Sequence, residues 1–387
     1  MPSAQHVPSP LLSSSVAVIG TGYWGKNLVR TFDDLGVLRA VCDTDPARLG
    51  AIRTTSEVKR CCRVDDCLKD PDVGAVAIAA PAVSHFELVH SALAAGKDVF
   101  VEKPLALTVS DGQELVKLAG DAKRILMVGH ILRYHPAVRR LKGLLDAGDL
   151  GKVEYVYSNR LSIGKLRTEE NILWSFAPHD VSVLLGLLGE MPSAVSCQGG
   201  DYLSRGVSDV TVSQFTFFSG VRAHIFVSWL HPFKEQRLVV VGSAKMAVFD
   251  DTAEDKLVTY PHKVEWKNRV PTAVKANGEV VPIESTEPLK AECLAFLECL
   301  NTRKPPSPTE QKDCGCSRYS MRANGHSPKA ARCSLWTRTA PPRSSTSSTI
   351  RPELTPAPSS VLGPRSGTLR IYSVARRLGR TASLART

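Results

Sequence analysis

The chain opens on a pattern of short apolar runs, each followed by a segment of helical spacing. Ser15 to Ile19 reads as a buried strand, and Lys26 to Arg30 begins a helix. Val37 to Cys42 is apolar apart from Arg39 and predicts a second strand. Val73 to Ala79 is wholly apolar, His85 to Ala95 is helical, Gly96 stops that helix, and Asp98 to Val101 predicts the next strand. Strands alternating with helices imply a parallel sheet with right-handed crossovers, and such sheets bind ligands at the carboxyl ends of their strands. Beyond residue 150 the pattern changes. Val153 to Arg160, Asp209 to Phe218, Val221 to Trp229, Arg237 to Val241 and Lys245 to Phe249 are β-rich, with Ser219-Gly220 as a hairpin turn. A meander of this kind fits one sheet with a helix-covered face and a face for a partner subunit.

Between the first strand and helix stands Gly20-Thr21-Gly22-Tyr23-Trp24-Gly25. In that context GxGxxG has a mechanism. Gly20 makes the tight turn, Gly22 lets a pyrophosphate approach the backbone, and Gly25 allows close helix–strand packing. The helix start offers unpaired N–H groups to the anion. Asp43 ends the second strand, where an acid accepts the adenosine ribose hydroxyls and repels a 2′-phosphate, so NAD is expected rather than NADP. Pro81, His85 and Glu102-Lys103-Pro104 fall at strand ends beside this site. Pro104 forbids further pairing and sets the Lys103 ammonium at the cleft mouth.

These motifs, followed by Gly129-His130-Ile131-Leu132-Arg133-Tyr134-His135-Pro136-Ala137, resemble the glucose–fructose oxidoreductase, inositol dehydrogenase and MocA (Gfo/Idh/MocA) family. The resemblance covers roughly Val16 to Thr309. It implies an α/β chain: a doubly wound parallel Rossmann sheet, then an α+β domain whose large, open, mainly antiparallel sheet mediates a homodimer or homotetramer. The domains expected are 1–14 disordered, 15–129 NAD-binding, 130–309 for substrate and oligomerisation, and 310–387 a basic tail. The resemblance further implies that Lys103 and a downstream histidine flank the nicotinamide and the reacting carbinol. Tyr23, Trp24 and Arg133 are assigned to the cofactor, the first two packing on it or lining the sugar pocket.

His179 is the downstream candidate. With Pro178 as the first helical residue, His179 falls in the first turn, where the positive helix end keeps imidazole neutral. Many family members carry Asp four residues earlier; here the position is Ser175. Asn171 to Asp180 also looks like the UDP-N-acetylglucosaminuronate 3-dehydrogenases of surface-polysaccharide synthesis, which implies oxidation at C3 of a UDP-sugar acid. Arg160, Lys165 and Arg167 would meet its anionic groups, with Asn171 and Trp174 beside them. Two alternatives stand next to this reading: a free polyol or sugar as substrate, and an inactive NAD-binding protein whose tail binds nucleic acid.

Composition alters this picture at one end only. The formal net charge of +11 in 387 residues resides in Asp313 to Thr387, which holds 13 basic and 2 acidic residues; the preceding 312 hold 36 of each. A neutral body speaks against nucleic acid as its partner. The tail lacks periodicity, and back-translation of Asp313 to Ser327 in a shifted frame permits an amphipathic helix, so a frameshift near Lys312 is expected. The ten cysteines form neither a CxxC pair nor a zinc-finger spacing, and no metal site is expected. No run of eighteen apolar residues occurs, and no basic flank precedes Leu11-Leu12. Neither a membrane span nor a secretory signal is expected, and the cytoplasm is the expected compartment.

Overall fold

The structure, a computed structural model, describes residues 15–304 apart from Lys165, Thr168 and Glu169. The expected disordered N-terminus, the basic tail with its shifted frame, and Lys165 lie outside the described residues.

Six strands form the first sheet: β1 (Val16–Ile19), β2 (Leu38–Cys42), β3 (Lys59–Cys61), β4 (Ala75–Ile78), β5 (Asp98–Glu102) and β6 (Leu126–Gly129). All pair in parallel, in the order β3-β2-β1-β4-β5-β6. Every residue of β1 and β4 is buried, as expected for strands covered on both faces. The crossovers run through α1 (Gly25–Asp34), α2 (Pro46–Ala51), α3 (Val64–Leu68), α4 (His85–Ala94) and α5 (Val109–Asp121). Strand order reverses between β1 and β4, which opens a crevice at their carboxyl ends. Cys42 of β2, Cys61 of β3 and Cys67 of α3 are buried in one core, and burial together with the Cys67 thiol pushes the Cys61 thiol up to about 12. These are packed, unreactive thiols.

After α6 (Pro136–Asp146) comes the second sheet. It comprises β7 (Val153–Leu161), β8 (Pro192–Gly200), β9 (Val210–Phe217), β10 (Arg222–Ser228), β11 (Glu235–Gly242), β12 (Met246–Asp250), β13 (Leu257–Tyr260) and, past a separate hairpin of β14 (Lys263–Lys267) and β15 (Val270–Val274), β16 (Glu279–Val280). Only β7 and β10 pair in parallel; every other pairing is antiparallel. The chain is thus α/β, with a Rossmann-like sheet followed by a mixed, mostly antiparallel one. Alternation along β9 and β10 turns Phe215, Ala223, Ile225 and Val227 toward α6 and α7 (Ile172–Leu188), where they form one apolar core with Val181 and Leu184. Gly220 takes φ +91° in the β9–β10 turn, a value only glycine adopts freely.

Helix α8 (Pro288–Thr302) returns to the first sheet, where Phe296 meets Phe100 edge-on with ring centres 5.7 Å apart. Arg303 closes it, its guanidinium forked onto Asp98 at 2.7 and 3.0 Å. No helix of the described residues is long and apolar enough to cross a membrane.

One boundary departs from expectation. Helix α7 begins at Ile172, not at Pro178, because the Asn171 side chain accepts from the Trp174 N–H at 3.1 Å and caps it there. Pro178 lies buried in the helix interior, and His179 therefore sits in the middle of α7. Its charge state cannot come from the helix start.

Candidate active site

The glycine-rich turn joins β1 to α1. Gly20 has φ +90°. A Cβ on Gly25 would stand 1.8 Å from the Gly20 carbonyl oxygen, so no other residue fits. Around Gly22 there is open space instead, with the nearest atom 3.8 Å from an added Cβ. An open groove of about 310 Å³ runs past Thr21, Gly22, Tyr23, Lys26 and Arg48. Among the described residues no side chain caps the start of α1; the Lys26 and Asn27 N–H groups donate to the Gly22 and Trp24 carbonyls at 3.3 and 2.8 Å, so an anion here would be met by the N–H groups of the turn that precede them. Tyr23 is exposed, with the Lys26 ammonium 5.5 Å from its ring centre.

Asp43 closes the adenosine end. Its Oδ2 accepts from the Thr21 N–H (2.7 Å) and hydroxyl (3.0 Å), and its Oδ1 from the Asp45 N–H (3.0 Å). Burial works to raise its pKa, but these bonds and Arg48 outweigh it and hold the carboxyl below its ordinary value. A carboxylate has lone pairs beyond those used, so the group is fixed, charged and still able to accept. The turn, the open groove and the anchored acid fit the pyrophosphate and ribose of a dinucleotide.

Across the crevice, β5 delivers Glu102, Lys103 and Pro104, with the Lys103–Pro104 peptide cis. The Trp24 indole N–H donates to Glu102 Oε1. Removal of the Glu102 carboxyl from water pushes its pKa up to about 7, against the pull of Trp24 and Lys103. Lys103 Nζ donates to the Ser175 carbonyl at 3.3 Å. Burial lowers the lysine, while Glu170 and Glu102 oppose that and favour the ammonium. One turn along α7 stands His179, which burial, then Lys103, Arg160 and His130, hold well below the ordinary histidine value. Its Nδ1 is buried with no hydrogen-bond partner among the described residues. The ring is a neutral base within the field of an ammonium, neutral through burial and not through a helix end.

The remaining expected residues are placed differently. His85 is 1% exposed, and its ring nitrogens lie 2.6 Å from the Pro104 carbonyl and 2.9 Å from that of Ala80. Both nitrogens lie against backbone carbonyls; burial lowers the ring's pKa, and the neutral ring donates its single N–H to one of the two, so it packs between the end of β4 and the lysine turn. Pro81 is exposed just past β4. Arg133 packs its guanidinium against α7, where a Cβ on Gly186 would come within 3.3 Å of its Nε. Arg160 points inward from β7 and is forked onto buried Asp180, Nε–Oδ2 2.7 Å and Nη2–Oδ1 3.2 Å, with Ser158 on the same carboxylate. It is thereby held by the protein, where the expectation was a partner for the anionic groups of the substrate. Arg167 pairs with Glu170 at 3.0 Å. Asn171 and Trp174 do line a pocket of about 310 Å³ with Pro104, Leu107, Glu170 and Val207. Glu170 was not anticipated; only its place beside the Asn171 cap marks it.

Comparison with known proteins agrees with this arrangement. Residues 14–130 match the Gfo/Idh/MocA oxidoreductase family's NAD-binding Rossmann domain, and residues 138–248 match its C-terminal domain. A crystal structure described as an oxidoreductase from Magnetospirillum magnetotacticum MS-1 is 30% identical, with a TM-score of 0.67 over 80% of this chain and 98% of that one. A 2,7-anhydro-N-acetylneuraminate hydratase of Mediterraneibacter gnavus is 31% identical over 199 residues, 49% of this chain. The chain spans about half the length of that relative, 53%. A UDP-N-acetylglucosamine 3-dehydrogenase of Acidithiobacillus ferrooxidans is 25% identical over 76% of this chain and 91% of its own length. The chain belongs to the Gfo/Idh/MocA oxidoreductase family, with its NAD-binding Rossmann fold.

Proposed function

We propose that the chain oxidises a secondary hydroxyl of a sugar-type substrate by transfer of hydride to NAD. One observation carries the reading: the Lys103 ammonium is fixed against the turn of α7 that presents a neutral His179, at the mouth of a dinucleotide crevice. His179 takes the hydroxyl proton as general base. Lys103 stabilises the alkoxide oxygen that this leaves. NAD, when bound, supplies the acceptor for the carbinol hydrogen and its electron pair. The carbon–oxygen bond becomes a carbonyl, and the base proton passes to solvent.

For the substrate, the finer reading is C3 oxidation of a UDP-N-acetyl sugar, expected from the sequence as the sugar acid. The UDP-N-acetylglucosamine 3-dehydrogenase among the relatives supports the UDP-N-acetyl sugar. Arg160 and Arg167, held by Asp180 and Glu170, are poor candidates for an added carboxylate, which favours UDP-N-acetylglucosamine over its uronate. A free polyol is the second reading, supported by a scyllo-inositol 2-dehydrogenase of Bacillus subtilis, 26% identical over 88% of its length. NADH formation with UDP-N-acetylglucosamine, its uronate and scyllo-inositol separates the three. A substrate domain is read from residue 130 onward. Its sheet turns Tyr155, Tyr157 and His224 away from α7 as one ring cluster, Tyr157 and His224 stacked at 5.4 Å, and we read that face as the contact with a second copy. Light scattering tests for the dimer or tetramer.

A further inference from the structure

We propose that Trp24 and Glu102 form a latch between the glycine-rich turn and the lysine turn, so that one side chain pair prepares the pyrophosphate site and seats Lys103 together. The inference rests on the NAD-dependent reading above and adds a positioning role to it. Trp24 occupies the last variable place of GxGxxG, and its backbone is the cap residue of α1. Its side chain reaches the end of β5, 78 residues along the chain, and gives its indole N–H to Glu102. The receiving carboxyl is given room by an absent side chain. A Cβ on Gly129, at the end of β6, would lie 3.1 Å from the Glu102 carboxyl and 3.0 Å from Phe100. Glu102 immediately precedes Lys103, whose ammonium is in turn held by the Ser175 carbonyl. A continuous set of contacts therefore runs from the α1 cap through Trp24, Glu102 and Lys103 to α7.

The bond has consequences at both ends. A neutral donor to a carboxylate makes a bond stronger than one between neutral groups. While it holds, the Trp24 side chain cannot swing across the groove beside Gly22, and the turn from Gly20 to Gly25 keeps the shape that an incoming phosphate would meet. Because binding free energies are reciprocal, an anion that orders the turn also steadies Glu102 and hence Lys103.

A double-mutant cycle on the full chain tests this, read by calorimetric NAD binding and by the melting temperature of the NAD-free protein. The variants are Trp24→Phe, Glu102→Leu and the pair. Trp24→Phe keeps the aromatic packing and removes the N–H; Glu102→Leu removes the acceptor, which glutamine would retain in its amide oxygen. The latch predicts that Trp24→Phe weakens NAD binding about 5- to 20-fold in the wild-type background and less than about 2-fold in the Glu102→Leu background. Melting temperatures should be non-additive in the same sense, without cofactor. Equal weakening in both backgrounds, or none, overturns the latch while leaving the dehydrogenase reading intact. A wild-type chain that binds no NAD overturns the dehydrogenase reading and the latch with it.

Discussion

The Lys103 ammonium donates to the backbone carbonyl of Ser175, 3.3 Å away and one helical turn ahead of His179. That bond joins the two halves of the fold at the atoms that matter. It brings a charge from the Rossmann sheet to the helix carrying the base, and it anchors the ammonium to a neutral group that cannot quench it.

Replacing Lys103 with methionine should therefore separate binding from chemistry. The predicted outcome is a fall in kcat of roughly 10²- to 10⁴-fold, with NAD affinity within a few-fold of wild type. Initial rates and calorimetry check it, and substantial turnover in the variant would contradict the role of the ammonium.

His179 makes a pH prediction of definite sign. Its pKa in the folded chain is held well below 6.5 by burial and neighbouring cations, so the unfolded chain binds the proton more readily. Stability from this group is full above 6.5 and is lost as pH falls below it. His179→Gln should remove that part of the acid sensitivity, measured as melting temperature between pH 7 and pH 5. The same depression means the imidazole remains a base at pH 6, and a ¹⁵N resonance of the ring should report the neutral form there.

Glu102 works in the opposite direction. Its ordinary value of 4.5 is pushed up to about 7 by removal from water, so the folded chain holds the proton more tightly than the unfolded one. Stability falls as pH rises from 4.5 through about 7, by an amount on the order of 3 kcal/mol. Glu102→Gln should be more favourable relative to wild type at pH 8 than at pH 5, as read by urea unfolding at the two values.

Removing Asp180 leaves the buried Arg160 guanidinium without its counter-charge. Asp180→Ala should cost about 3–5 kcal/mol, and Asp180→Leu combined with Arg160→Met should recover much of it. Denaturant unfolding of the three chains measures this. A single variant as stable as wild type would mean that the pair is not the buried one described.

Much of the first domain was legible because β1 and β4 are unbroken apolar runs and β2 and β5 lead directly to Asp43 and Lys103, whereas β3, Lys-Arg-Cys, has no apolar run to announce it. Val16 to Ile19 followed by glycines admits few other readings, and Asp43 and Lys103 inherit their positions from the sheet. What escaped did so for physical reasons. Pro178 is a sound local signal for a helix start, yet Asn171 caps the helix seven residues earlier and Pro178 lies buried within it. Strand β8, Pro-Ser-Ala-Val-Ser-Cys-Gln-Gly-Gly, has little β character of its own and is a strand because β9 pairs with it at the sheet edge. Arg160 ends a run read as a strand, and the alternation Val156, Ser158, Arg160 sets it on the inward face of β7, but nothing in the sequence pairs it with Asp180, twenty residues on. His85 has no pattern that distinguishes a ring facing a ligand from one facing two carbonyls. Only the three-dimensional arrangement separates those.

The most direct test of the account is absorbance at 340 nm with purified chain, NAD and UDP-N-acetylglucosamine, its uronate or scyllo-inositol in turn. The account predicts NADH formation with at least one of the three, strongest with UDP-N-acetylglucosamine and abolished by Lys103→Met. A chain that binds NAD by calorimetry and yields no NADH with any of them would contradict it.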